Sequence, residues 1–259
     1  MRAVDIGVKN VSGSIAQMKA SFRRNWKFYC QEALGLAIFM ISACFFSGLL
    51  FGKDGYFNSG LSVSLRQSIL GVMMGATALF IFYSRFTSPS GSHINPAVTL
   101  SFFRLGKIGP WDSLFYMIFQ LLGGTLSVYL MAVLMKDNLT AAPLHFVITV
   151  PGKYGTIPAV ITEFIIAFIM MFTVLFTSAD RRLNKYTRLF SGILVCVFVI
   201  IAGPVSGFGM NPARSFSSAF PAQIWTGFWI YISMPLSGML SASEVYLFIK
   251  RRKSMTDHQ

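Results

Sequence analysis

Six stretches of this chain, roughly residues 28–51, 65–86, 113–135, 156–178, 188–206 and 224–249, are apolar over the length a helix needs to cross a lipid bilayer. A helix rises about 1.5 Å per residue and the hydrocarbon core is about 30 Å thick, so about 20 residues suffice. Hydrocarbon offers no partner to backbone N–H and C=O groups, so each stretch has to satisfy its own as a helix. Composition agrees, with 54% hydrophobic and 12% charged residues where soluble domains carry about a quarter charged. The 26 Phe and 14 Met would overfill the single core of a soluble domain of 259 residues.

A net charge of +13 raises the question of a nucleic-acid partner, and the placing of the charge answers it. Arg2, Lys9, Lys19, Arg23, Arg24 and Lys27 precede the first stretch; Arg85, Arg104 and Lys107 flank the first of two Asn-Pro-Ala tripeptides; Arg181, Arg182, Lys185 and Arg188 fill a central loop; Lys250, Arg251, Arg252 and Lys253 close the last. The alternate connections hold only Lys53, Arg66, Lys136 and Lys153. A phosphate-binding patch would not alternate from loop to loop, so nucleic acid is excluded as a partner. The positive-inside rule instead places both termini in the cytoplasm and makes the number of spans even. The sequence divides into a cytoplasmic segment 1–27, one channel-sized domain 28–249 with halves 28–135 and 156–249, and a cytoplasmic tail 250–259.

Cys30, Cys44 and Cys196 lie in or beside apolar runs without paired spacing, which argues for packing and against a disulfide framework or metal site. His93, His145 and His258 are scattered, and nothing pairs a nucleophile with a base, so neither an enzyme nor a cofactor is expected. No cleavable signal peptide is legible at the N-terminus. Asn138-Leu139-Thr140 is a glycosylation acceptor pattern that matters only in a eukaryotic secretory route.

Two shorter apolar pieces, 97–104 and 213–220, each follow the same tripeptide: Asn95-Pro96-Ala97 and Asn211-Pro212-Ala213. Eight residues reach only about 12 Å, so neither piece crosses alone. Aligning the tripeptides aligns Gly91 with Gly207, each preceded by Ser, and brings Glu32 and Glu163 to the start of corresponding spans. Three spans and a half-span therefore occur twice. Three is odd, so the second copy enters from the opposite face, an inverted repeat with half-helices dipping in from both sides. Irregular backbone at such depth survives only inside protein or along a wet cavity. Asn is a favoured helix cap and Pro fits the first helical position. With their oxygens committed to capping, the NH2 groups of Asn95 and Asn211 are expected to point into the lumen as donors, where two helix dipoles present their positive ends. The carbonyls of Gly91, Ser92, His93, Ile94, Gly207, Gly209 and Met210 are expected to form an acceptor ladder leading there. Such a site favours neutral molecules and disfavours cations and protons.

With SGSHINPAVTL at 90–100, SGFGMNPARSF at 206–216, Gln120, Pro235, Glu32 and Glu163, the sequence resembles the aquaporin (major intrinsic protein) family over nearly its whole length. The resemblance implies an all-α membrane protein of six transmembrane helices plus two re-entrant half-helices, a pore in each subunit, and a homotetramer without cofactor. It implies a selectivity filter of Arg214, Phe208, Val199 and one residue of the second span. Counting back from Asn95 gives Gly75; the stretch 85–89, one residue longer than the family pattern, shifts the position to Met74. Met74 is preferred, because Gly71 and Gly75 form a small-xxx-small pair suited to helix contact. Glu32 and Glu163 read as buried braces of the re-entrant loops, His93 as a packing residue, and Glu244 as a side chain snorkelling to the interface.

The resemblance does not point to one solute. Strict water channels carry His at the Val199 position, and Phe208 is an apolar wall of the glycerol-conducting kind. Yet Ser215 stands where glycerol channels have Asp, and Ala219 is of the water type. The expected activity is passive passage of water and small neutral solutes (glycerol, ammonia or hydrogen peroxide) with ions and protons excluded, in the plasma or bacterial inner membrane. An ion-coupled secondary transporter is the alternative, since those proteins also use inverted repeats and broken helices.

Overall fold

The structure, a computed structural model, describes residues 3–57 and 60–256, with side chains over 14–57 and 60–252. Arg2 and His258 lie outside the described residues, as do the side chains of Lys9 and Lys253. The described residues form helices α1 (Ala3–Phe51), α2 (Val63–Tyr83), α3 (Pro96–Arg104), α4 (Pro110–Met135), α5 (Asp137–Thr140), α6 (Thr156–Ala179), α7 (Thr187–Ser206), α8 (Pro212–Ala222) and α9 (Phe228–Thr256). Among them, α1, α2, α4, α6, α7 and α9 are long and apolar enough to cross a membrane. Their outward faces are apolar, as with Leu126, Val133 and Leu134 on α4 and Ile157 and Ile161 on α6. Polar side chains such as Gln120, Glu32, Glu163 and Asn95 are instead buried inside. That inversion is what lipid as a solvent demands.

The repeat is visible in the packing. Helix α1 packs along α4, α6 packs along α9, and α2 meets α7. Close approach depends on missing side chains at matched places. A Cβ on Gly123 of α4 would sit 2.1 Å from the Ala33 carbonyl oxygen of α1, and one on Gly238 of α9 would sit 2.5 Å from the Phe164 carbonyl oxygen of α6. Each half-helix lies against the other repeat, α3 on α9 and α8 on α4, and the two meet at their N-terminal ends. The halves are thus interlocked rather than merely adjacent.

Two boundaries differ from the sequence reading. Helix α1 continues back to Ala3, into the segment read as 1–27, and α9 runs through the basic cluster to Thr256. The α1 extension is anchored by Asp112 in the first turn of α4. Its Oδ1 accepts from Ser21 Oγ (2.5 Å), Asn25 Nδ2 (2.9 Å) and Tyr29 Oη (2.5 Å). These donors recur at every fourth residue, one face of a helix. Phe22 adds an edge contact to Phe115 of α4, ring centroids 5.2 Å apart. Glu244, read as snorkelling, is half-exposed and ion-paired with Arg104 at the end of α3, Nε to Oε1 at 2.6 Å and Nη2 to Oε2 at 3.0 Å.

Candidate functional site

The site grows out of two short non-helical loops, 91–94 and 207–210, each leading into a half-helix. Asn95 caps α3, its Oδ1 accepting from Ala97 N at 2.8 Å. Asn211 caps α8, accepting from Ala213 N at 3.0 Å and Arg214 N at 3.2 Å. Pro96 and Pro212 take the first helical positions, where a missing N–H costs nothing.

The loops reach those caps through left-handed backbone. Gly91 and Gly207 have φ of 92° and 80°, Ser92 and Phe208 of 49° and 53°, Ile94 and Met210 of 42° and 35°. The same three positions are left-handed in each copy. For non-glycine residues such conformations cost of order 1–3 kcal/mol each, so something must hold them. Glu32 and Glu163 do so. Glu32 accepts from His93 N (3.0 Å), Ile94 N (2.6 Å), Ser90 Oγ (2.6 Å) and Gln120 Nε2 (2.8 Å). Glu163 accepts from Gly209 N (2.7 Å), Met210 N (2.5 Å) and Ser206 Oγ (2.6 Å). Tyr116 and Tyr231 donate to the carbonyls of Ser90 and Ser206 at 2.8 and 2.7 Å. Both carboxylates are wholly buried, and both oxygens of each accept from these donors.

The amide groups of the two asparagines are arranged differently from the expectation. Asn95 Nδ2 donates to the Met210 carbonyl at 2.9 Å, and Asn211 Nδ2 to the Ile94 carbonyl at 2.7 Å. Each NH2 carries two protons, so one is tied to the opposite loop and the other is without a protein partner beside the cavity that both asparagines line. Of the expected acceptor ladder, Ile94 and Met210 are the carbonyls so engaged, and Gly209 accepts from Asn211 N. The carbonyls of Gly91, Ser92, His93 and Gly207 accept nothing from the protein among the described residues. His93 is packed, its ring stacked on Phe102 at 4.7 Å and its Nδ1 3.2 Å from Thr99 Oγ1.

Two cavities adjoin one another here, and the asparagines line the first. The first, about 310 Å³, is lined by Asn95, Asn211, Val98, Met170, Val195 and the loop 91–94, and opens toward Asn184 and Arg188 on the basic face. The second, about 360 Å³, lies beyond Phe208 and Arg214 and is lined by Met74, Val199, Phe208 and Arg214 together. Gly75 faces elsewhere: a Cβ there would lie 2.6 Å from Cys196 Cβ on α7, so this position belongs to the α2–α7 contact. Arg214, Phe208 and Phe39 line both cavities and stand between them. The Arg214 guanidinium makes no hydrogen bond to the described protein, and its Nη1 is buried without a partner.

Sequence reasoning missed Phe39 and Gln67. Phe39 lies two helical turns after Glu32, and Gln67 two turns before Met74, so both share a face with a residue already singled out. A polar side chain on the lumen face of an apolar span was the available signal for Gln67.

A major intrinsic protein family model matches residues 19–246. The chain belongs to the major intrinsic protein family. It is 34% identical to Aquaporin TIP4-4 of Zea mays over 203 residues, covering 77% of this chain and 76% of that protein. Identity to Probable aquaporin TIP2-2 of Arabidopsis thaliana is 31% over 249 residues, 95% of this chain and 93% of that one. Among solved structures, the X-ray structure of the aquaglyceroporin from Plasmodium falciparum superposes with a TM-score of 0.72 at 21% identity, covering 85% and 94% of the two chains, a likeness of fold. As a member of this family the chain is an integral membrane channel for water or small solutes, and not an enzyme.

Proposed function

We propose that this member of the family is a passive pore for water and small neutral solutes such as glycerol, ammonia or hydrogen peroxide, and that it excludes ions and protons. Carrying the reading is the junction of two half-helix N-termini at the first cavity, where one proton of each asparagine amide remains for a passing molecule. Both helix dipoles present positive charge there, which repels cations and orients a neutral lone pair. Arg214 adds a fixed positive charge at the far cavity. Met74, Val199, Phe208 and Arg214 form the selectivity filter in this reading, and the free carbonyls of Gly91, Ser92, His93 and Gly207 guide the file of solutes. Both termini lie in the cytoplasm, in keeping with the basic-loop pattern, in a plasma or bacterial inner membrane, and the working unit is a homotetramer.

An ion-coupled transporter needs intramembrane carboxylates free to load a cation. Glu32 and Glu163 are engaged by backbone N–H groups and hydroxyls, which argues against that alternative. The deciding measurement is stopped-flow osmotic shrinkage of proteoliposomes. Faster water exit than from empty vesicles, independent of any imposed proton or sodium gradient, is expected; no acceleration with inserted protein overturns the reading.

A further inference from the structure

The second cavity is apolar over most of its wall, and its polar side chains are Ser47, Gln67 and Arg214. Gln67, Leu70 and Met74 recur at helical spacing on α2 and line it together. The Gln67 carboxamide is held in one orientation, its Nε2 donating to the Val199 carbonyl on α7 at 2.6 Å. It reaches that carbonyl over Gly203, where a Cβ would lie 2.3 Å from Nε2. A carbonyl has two lone pairs, so Val199 can serve both its helix and Gln67. With the NH2 fixed on α7, the amide oxygen is the free end, and it accepts nothing from the described protein. The Arg214 guanidinium, lining the same cavity, is a donor equally without protein partners.

We propose that Gln67 is a specificity-determining residue of the pore, its amide oxygen and the Arg214 guanidinium forming an acceptor and donor pair that favours small neutral solutes able to bridge both. Polyols and small amides have this chemistry: two or more polar atoms on a carbon frame whose apolar edge suits the Met74, Val199 and Phe208 wall. Water and ammonia, with one heavy atom each, gain less from two-point contact. Val199 supplies no polar side chain to the filter, and Gln67 supplies one from the neighbouring helix, using the Val199 backbone as its anchor. The inference rests on the passive-channel reading and names the solute class that reading left open.

The test is parallel stopped-flow measurement of water, glycerol and urea permeability in proteoliposomes of the full chain, with Gln67→Met and Gly203→Ala. Met keeps the unbranched shape and removes the acceptor; Ala at 203 favours the helix but pushes the amide off its anchor. The glycerol-to-water and urea-to-water ratios are expected to fall about fivefold in Gln67→Met, the scale of one solute hydrogen bond, and by less in Gly203→Ala. Unchanged ratios in both variants overturn the proposal, and Gly203→Ala alone decides if Gln67→Met does not insert. A wild-type protein that conducts water but neither glycerol nor urea also overturns it while leaving the channel standing. A wild-type protein that conducts nothing removes the channel reading itself.

Discussion

In the first re-entrant loop Glu32 holds the amides of His93 and Ile94 while Tyr116 holds the Ser90 carbonyl; in the second, Glu163 holds Gly209 and Met210 while Tyr231 holds Ser206. The left-handed positions coincide, and so do the capping asparagines. What differs is the third residue after each asparagine: Val98 in one half-helix, Arg214 in the other. The next residue differs too, since Thr99 bonds the Asn95 carbonyl and accepts from Gln120, whereas Ser215 Oγ is buried without a partner. Symmetry is kept where backbone must be held and abandoned at the third residue, where Val98 and Arg214 line the cavities. One scaffold, used twice, thus places a charged side chain beside the cavities in one half-helix only.

The largest expected effect comes from the shared frame. Asn211→Ala removes the cap of α8, about 1 kcal/mol, and leaves the buried Ile94 carbonyl unsatisfied; water permeability should fall on the order of tenfold or more, read by stopped-flow light scattering. Asn95→Ala should do the same, and a large difference between the two would break the equivalence of the loops. Next come the braces. Glu32→Leu and Glu163→Leu each orphan two backbone N–H groups and should destabilise the folded protein by on the order of 3 kcal/mol, measured by thermal unfolding in detergent. Glu32→Leu should be the worse because Gln120 also loses the shorter of its two bonds, leaving only Thr99 as acceptor.

Much of this was legible in the sequence, and the exceptions share a cause. The spans and the half-helices follow from periodicity, lipid solvation and the repeated tripeptide, while the acidic braces and the grouping of Met74 with Val199, Phe208 and Arg214 are what the family resemblance implies. The inward extension of α1 was not, because residues 14–27 are too polar to read as a span and their anchor, Asp112, lies far along the chain. The crossed amides of Asn95 and Asn211 were not legible either, since a donor's partner across a junction cannot be read from local spacing. Gln67 belongs with these: its role depends on the bare backbone of Gly203 opposite.

The asymmetry between Val98 and Arg214 can be sharpened directly. Arg214→Val, which makes the two half-helices alike, should raise proton or cation leak on the order of tenfold, followed with a pH-sensitive dye inside vesicles; an unaltered leak would mean the dipoles alone exclude ions. A smaller effect is expected from Val199→His, which adds a polar, bulkier group to the far cavity. Glycerol passage should fall about two- to threefold more than water passage in paired stopped-flow runs. Equal changes for both would remove the ground for a relaxed filter.

The reciprocal bonds from Asn95 to the Met210 carbonyl and from Asn211 to the Ile94 carbonyl bear on how the protein is assembled. Neither copy can finish its own turn: each lends a proton to its twin and borrows an acceptor from it. Cut between α5 and α6, the two fragments would each insert their spans yet carry an open seam, and conduction would return only when the fragments found each other again.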